Sequence, residues 1–394
     1  MDNKSPNEGH EPPQSDVSSG SVTLDSVAIR GFRSLADVEL GGLGGVTVLI
    51  GANGSGKSNF VRFFEMLGWM LRSRRLEQFV NQYGGADDQL FMGNKVTPRM
   101  EADIRLKTQS GLNEYSISLS YGAPDRFIFS DERWRFSDPD KGLGLAPWNS
   151  AGSGHTEARI DDAAKGHISD VNPTTARVVC NLLRDCHTFQ FHDTSLGAAM
   201  KRPWDMSDNR LLRSDGGNLA AVLLRLRDEY PDHYEWVQGN IRRILPNFDQ
   251  FLIEERHGKA ILRWRATDWD KTFGAHLTSD GSLRFFALVT LLNLPSDMLP
   301  KVIVLDEPEL GLHPAAVSLI GSMIESVSDQ CQVIVATQSP HLVDAFDLSE
   351  IVVMELENSK TAVRRLDRND YLRWLEENYT TGELWQMNLL GGRP

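Results

Sequence analysis

Eight consecutive residues carry the plainest chemistry in this 394-residue chain: Gly51, Ala52, Asn53, Gly54, Ser55, Gly56, Lys57 and Ser58. They follow the apolar run Val46–Ile50 and precede a helical pattern. Glycines there let the backbone turn tightly and aim its N–H groups at phosphate oxygens, where the start of a helix adds partial positive charge. Lys57 would reach the β- and γ-phosphates of a nucleotide. The Ser58 hydroxyl would join a Mg²⁺ ligand set shared with phosphate oxygens. On its own the loop does not say which nucleotide enzyme this is.

Three later segments supply what such a loop needs. The buried-strand run Val302–Leu305 delivers Asp306 and Glu307 at its carboxyl end, the edge at which ligands of open α/β sheets bind. There Asp306 would hold Mg²⁺ and Glu307 would polarise an attacking water. A second run, Gln332–Ala336, ends in Thr337-Gln338-Ser339-Pro340-His341 and offers Gln338 to the γ-phosphate. Finally, Ser279-Asp280-Gly281-Ser282 precedes the amphipathic helix expected over Phe285–Leu292, so a serine and a glycine again sit at a helix start, without a lysine. One chain has one lysine loop. A lone second anion site therefore implies that another copy brings the phosphate.

The elements that position these groups can be read coarsely. The nucleotide unit starts near Val22, with strand patterning to Glu39 and turn glycines at 41, 42, 44 and 45. Phe60, Phe63, Phe64, Leu67 and Leu71 recur at helical spacing after the loop, with Arg72, Arg74 and Arg75 expected in the last turns as dipole partners. Alternation over Met100–Leu106 and Glu114–Leu119 predicts antiparallel strands, and Asp131–Gly154 a long mobile surface loop. Helical periodicity over Thr174–Leu245, with the stripe Leu219, Val222, Leu223, Leu226, predicts an inserted helical lobe. No sustained heptads are found, so no long coiled coil is expected.

Composition narrows the class. A net charge of −13, with 40% hydrophobic residues, suits a globular protein and argues against a surface coated in non-specific nucleic-acid contacts. Residues 1–20 are polar and expected to be a disordered tail, and no apolar run is long enough to span a membrane. Cys180, Cys186 and Cys331 lack metal-site spacing, which points to a reducing, cytoplasmic setting. Cys186, His187, His192 and Asp193 are expected to be structural rather than a metal site, and Trp374 and Trp385 to pack within the domain.

In this order, the loop Gly51–Ser58, Ser279-Asp280-Gly281, the Leu305–Glu309 stretch, Gly311-Leu312-His313-Pro314 and Thr337-Gln338-Ser339-Pro340 resemble an ABC-type ATPase head of the RecF and SMC branch. The segment Leu212–Leu219 and the tail from Gly382-Glu383-Leu384-Trp385 to Gly391-Gly392-Arg393-Pro394 further resemble a family of stand-alone bacterial AAA-type ATPases. The resemblance implies an α/β P-loop NTPase fold: a RecA-like core with an antiparallel β subdomain, over 21–135 and 272–394, and an inserted helical lobe over 136–271. It implies a head-to-head homodimer around two Mg-ATP. One copy would give Lys57, Ser58, Asn59, Asp306 and Glu307, and its partner copy the signature serine and glycine, Ser279 and Gly281. Arg33 would approach the nucleotide.

Two departures stand out. Many such ATPases place a histidine where Gln338 stands, and an amide cannot become charged. The metal-sensing glutamine has two candidates, Gln82 and Gln89. The expected function is an ATP-hydrolysing head coupled to DNA repair or to defence against foreign DNA. The alternative is a nucleotide-gated scaffold that holds or releases a separately encoded nuclease or toxin. A transporter subunit is disfavoured, because Asp280-Gly281-Ser282 stands where Gly-Gly-Gln is usual.

Overall fold

The structure is a computed structural model and describes residues 22–138, 146–169, 171–267 and 271–393. The expected tail 1–20 lies outside these, as does 139–145 of the expected surface loop.

A hairpin opens the fold, β1 (Thr23–Phe32) and β2 (Leu35–Gly41). Next, β3 (Val46–Ile50) runs into the glycine loop and α1 (Lys57–Gly68), whose end widens into a π-helical turn at Trp69–Ser73. The short helices α2 (Leu76–Gln82) and α3 (Ala86–Gln89) lead to a meander of β4 (Arg99–Thr108), β5 (Gly111–Gly122) and β6 (Arg126–Ser137), edged by β7 (Asn149–Ser150). With the opening hairpin these form an antiparallel sheet ordered β2-β1-β4-β5-β6-β7.

The chain returns through α4 (Ile160–Ala164) and α5 (Pro173–Arg184) to a four-residue strand, β8 (Cys186–Phe189). Beyond it lie β9 (Trp204–Asp205), the helix pair α6 (Leu219–Glu229) and α7 (Pro231–Ile244), and the strands β10 (Phe248–Arg256), β11 (Lys259–Ala266) and β12 (Thr272–Gly274) of a small antiparallel sheet. The remaining path alternates: α8 (Asp280–Leu292), β13 (Val302–Asp306), α9 (Pro314–Val327), β14 (Gln332–Thr337), α10 (Pro340–Val343), β15 (Ile351–Glu357), β16 (Lys360–Arg365), α11 (Leu372–Glu376) and α12 (Thr381–Gln386).

The central sheet runs β16-β15-β3-β14-β13-β8, parallel except for the β15–β16 pair. Both of its faces are covered, which is why its strands read as unbroken apolar runs. Residues of β14 show the period of two: Val333 and Val335 belong to the cluster shared with α6, α8 and α9, Ile334 and Ala336 to the one shared with α1, α5 and the antiparallel sheet. The α6 stripe Leu219, Val222, Leu223 and Leu226 is fully buried, worth roughly 1.5–3 kcal/mol per side chain.

Three expectations need correcting. Residues 131–137 continue β6 instead of starting a loop: Trp134 points inward at 0% exposure while Arg133 and Arg135 face out onto Trp148. The boundary expected at 136 therefore falls inside a strand. Second, α5 and β8, expected in the helical lobe, belong to the core, since β8 pairs in parallel with β13 from Val302↔Cys186 to Leu305↔Phe189. Third, α1 stops at Gly68, and the arginines after it serve other ends: Arg72 bonds His187 and Arg74 bonds Asp162.

Candidate functional site

At the carboxyl edge of the central sheet, β3, β13 and β14 end side by side. The loop Gly51–Gly56 is held there by shape and by bracing. Gly56 has φ 109° and Gly51 φ 155°, and a Cβ at Gly51 would run into the carbonyl oxygen of Met354. Thr361 Oγ1 donates to Ser55 O at 2.9 Å, Ser34 Oγ meets Thr361 Oγ1 at 2.7 Å, and Asn59 Nδ2 donates to Ser34 Oγ at 2.8 Å. The C-terminal tail closes from behind: Trp385, fully buried, donates to Gly392 O at 2.8 Å, and a Cβ at Gly392 would lie 3.4 Å from Gly51 Cα.

Lys57 is buried, and its Nζ donates to Gly51 O at 2.6 Å and Ala52 O at 3.0 Å. Phosphate oxygens compete for these same donors. Burial lowers its pKa, against the pull of Glu307, Asp306 and Glu309.

Asp306 sits at 7% exposure. Burial pushes its pKa up to about 6, with Glu307 adding and His192, Arg62 and Lys57 opposing. Oδ2 accepts from Gln190 Nε2 at 3.1 Å, whereas Oδ1 is buried with no hydrogen-bond partner among the described residues. That orphaned oxygen, with the exposed Ser58 at the first turn of α1, fits a Mg²⁺ that draws its remaining ligands from phosphate and water. Glu307 follows in the left-handed region at φ 46°, its N–H bonded to Ala336 O at 2.8 Å. A non-glycine residue in that region costs free energy and is held by its surroundings. Gln338 Nε2 donates to Glu307 Oε1. Nearby, Glu309 Oε1 accepts from Thr337 Oγ1 at 2.6 Å and Gln338 N at 3.0 Å, which fixes the Gln338 backbone.

Gln190 escaped the sequence reading, and His192 was expected only to be structural. His192 Nε2 meets Asp306 O at 3.0 Å, and both residues follow β8, a strand too short to show a period. Gln82 is exposed at the end of α2, and Gln89 is buried with its amide tied to Arg33 Nε at 3.0 Å and Tyr83 O at 2.6 Å. Neither meets the carboxylates, and Gln190 does. The same Gln89 bond engages the Arg33 side chain; its neighbour Ser34 is what braces the loop. His341 is exposed on α10. Members of the Cys186–Asp193 cluster go separate ways, His187 to Arg72, His192 to Asp306 and Asp193 to Ser195.

Ser279 and Gly281 lie elsewhere. Ser279 is exposed and caps α8 through Ser282 N at 3.1 Å. A Cβ at Gly281 would strike Gly311 O, and a cavity of about 190 Å³ beside it is lined by Leu245, Ser282, Gly311 and His313. Contrary to the amphipathic expectation, Phe285–Leu292 is buried on all sides. Arg284 ties this helix to the carboxylate edge, donating to Phe191 O at 2.9 Å, His192 O at 2.9 Å and Leu310 O at 3.1 Å.

Sheet order, glycine loop and carboxylate pair define a P-loop nucleotide-binding fold. The chain belongs to the family described as "AAA domain, putative AbiEii toxin, Type IV TA system", whose pattern matches residues 46–344. Among solved structures it is similar to an Smc head bound to the C-winged helix domain of ScpA, at 15% identity and TM-score 0.56, covering 89% of this chain and 99% of that one. A second, the Smc head domain with an extended coiled coil bound to the C-terminal domain of ScpA from Pyrococcus furiosus, gives 14% identity and TM-score 0.53 over 91% and 100%. At these identities the likeness is one of fold. No curated protein matches significantly. Among the described residues no helix is long and apolar enough to cross a membrane.

Proposed function

We propose that this chain is a cytoplasmic, ATP-hydrolysing head that closes as a head-to-head dimer around two Mg-ATP and couples the cycle to defence against foreign DNA or to DNA repair. The observation that carries this reading is the separation of the two anion-binding segments. Lys57, Asp306, Glu307 and Gln338 gather at one sheet edge, while Ser279 and Gly281 line a cavity bounded by Gly311 and His313 that no residue of the phosphate loop lines. A partner's nucleotide would complete the second.

Lys57 and the loop N–H groups bind the phosphates, and Ser58 and Asp306 would hold Mg²⁺, whose charge offsets that building up on the transferred group. Glu307 takes the proton of the attacking water. Gln338, donating to Glu307 Oε1, orients that carboxylate and leaves its second oxygen for the water. Gln190 reports on the metal ligand through Asp306. Arg33 acts on the nucleotide only through the loop-bracing turn it belongs to.

A second reading is favoured by Gln338 itself. An amide cannot carry charge to the γ-phosphate, so slow hydrolysis would suit a nucleotide-gated scaffold for a separately encoded nuclease or toxin, in line with the toxin–antitoxin description of the family. Duplex DNA that stimulates hydrolysis supports the first reading; a neighbouring gene product that co-purifies only with Mg-ATP supports the second. Dimerisation is tested with Glu307→Gln under saturating Mg-ATP in size-exclusion chromatography. The expected species is a dimer, and a monomer would count against shared sites.

A further inference from the structure

The segment Leu212–Asn218 stands out in the sequence yet has no part in the chemistry above. Its first residues, Leu212–Ser214, line with Asp208 and Leu211 one wall of a cavity of about 400 Å³ whose other wall is the π-helical turn after α1. That volume lies within the range of small-molecule sites.

Charge sets the ligand class. Arg72, Arg75 and Arg213 line the cavity against one carboxylate, Asp208. Asp208 already accepts from Trp204 Nε1 at 2.8 Å and lies 3.5 Å from Arg213. Arg72 Nη1 donates to His187 Nδ1 at 2.9 Å, a neutral partner, since burial first and Arg72 second push the His187 pKa down to about 3. Among the described residues the Arg75 side chain makes no hydrogen bond or ion pair. Trp69, half-buried, adds a flat apolar wall. Arg213 is shared with Asp208 and with Asp215 at 3.9 Å, but Arg72 is bonded to a neutral ring and Arg75 is left over, and this excess of guanidinium charge matches a phosphate.

Both walls are built for the purpose of holding these groups in place. Asn218, at 0% exposure, accepts from Arg213 N at 2.9 Å and donates to Asp208 O and Leu211 O, each at 2.8 Å. Gly216 has φ 69°, and a Cβ there would lie 2.7 Å from Met200 Sδ. On the facing wall, a Cβ at Gly68 would collide with the Arg72 guanidinium, so glycine makes room for it. The cavity also touches the carboxylate edge: Ser214 O accepts from Gln190 N at 3.0 Å, and Gln190 Nε2 donates to Asp306 Oδ2 at 3.1 Å.

We propose that the cavity between the end of α1 and the Asp208–Ser214 segment binds a small phosphate-bearing anion of mononucleotide size, whose occupancy is transmitted to Asp306 through Gln190. This site is separate from the phosphate loop and does not depend on dimerisation.

The test uses the full chain carrying Lys57→Ala, so that the phosphate loop is out of play, and measures AMP and inorganic pyrophosphate binding by calorimetry. One site per chain is expected, weakened at least ~10-fold by Arg72→Gln with Arg213→Gln and ~3-fold by Arg75→Gln, in keeping with lost charge-assisted bonds. No binding to the Lys57→Ala chain, or equal binding to the double variant, would overturn the site. If the double variant does not fold, unchanged affinity in Arg75→Gln overturns it alone. Competition by a 5′-phosphorylated oligonucleotide more effective than by AMP would overturn the assignment to a free small anion.

Discussion

The loop around Lys57 and the start of α8 are both suited to oxygen anions, and they differ in how complete they are. The first is cross-braced by Ser34, Asn59 and Thr361, buried at Lys57, and faces carboxylates delivered by β13 and an amide delivered by its neighbour β14. The second has an exposed Ser279, and the cations near it are already engaged, Lys201 by Asp280 at 3.2 Å and Arg284 by the backbone carbonyls of Phe191, His192 and Leu310. A site finished from within needs only substrate. One with a serine hydroxyl, a glycine that cannot accept a side chain and an open cavity needs a charge brought from outside.

The sharpest way to break this contrast is Gly281→Ala, whose methyl would meet the Gly311 carbonyl. Nucleotide affinity of the single chain is expected to stay within ~3-fold while turnover falls ~100-fold, the scale of one lost transition-state contact; equal losses in both would merge the two regions. A smaller effect is expected from Gln190→Ala, a ~10-fold rise in the Mg²⁺ concentration for half-maximal turnover, as for other groups that orient a metal ligand. An unchanged Mg²⁺ dependence would leave Gln190 with a packing role.

Smallest is the effect of Asp306→Asn on melting. Its carboxyl is raised from 3.8 to about 6, so the fold prefers it protonated, and its ionisation removes stability as pH rises from 3.8 through 6. At pH 7.5, without nucleotide, the asparagine variant is expected to melt roughly 2–5 °C higher than the parent, and the gain should shrink toward pH 4. A constant gain across that range would mean the carboxyl is not strained.

Legibility in the sequence followed contiguity. Gly51–Ser58, Asp306-Glu307 and Gln338 each sit beside an unbroken apolar strand, so neighbours in sequence were neighbours in function. The pair Gln338–Glu307 and the parallel order of β3, β14 and β13 follow from that. Gln190 was hidden because β8 is four residues long and enters the sheet only by pairing with β13, a contact no periodicity encodes. In β6 the charges of Asp131, Glu132, Arg133 and Arg135 masked the alternation; Glu132 is nonetheless fully buried, accepting from Tyr115 Oη at 2.9 Å and Arg159 N at 2.8 Å. Satisfaction by distant partners is what allows a carboxylate inside, and it cannot be read from neighbours in the chain.

The most direct measurement mixes two inactive chains, Lys57→Ala and Ser279→Arg, and follows ATP hydrolysis. A mixed dimer restores one intact composite site, with the loop of the Ser279→Arg chain facing the Ser279 of the Lys57→Ala chain. The expected result is that each chain alone is inactive and the mixture regains a substantial share of parental turnover. Full activity in Ser279→Arg alone, or a mixture as inactive as its parts when the two chains are shown to associate, would contradict a site shared between two copies.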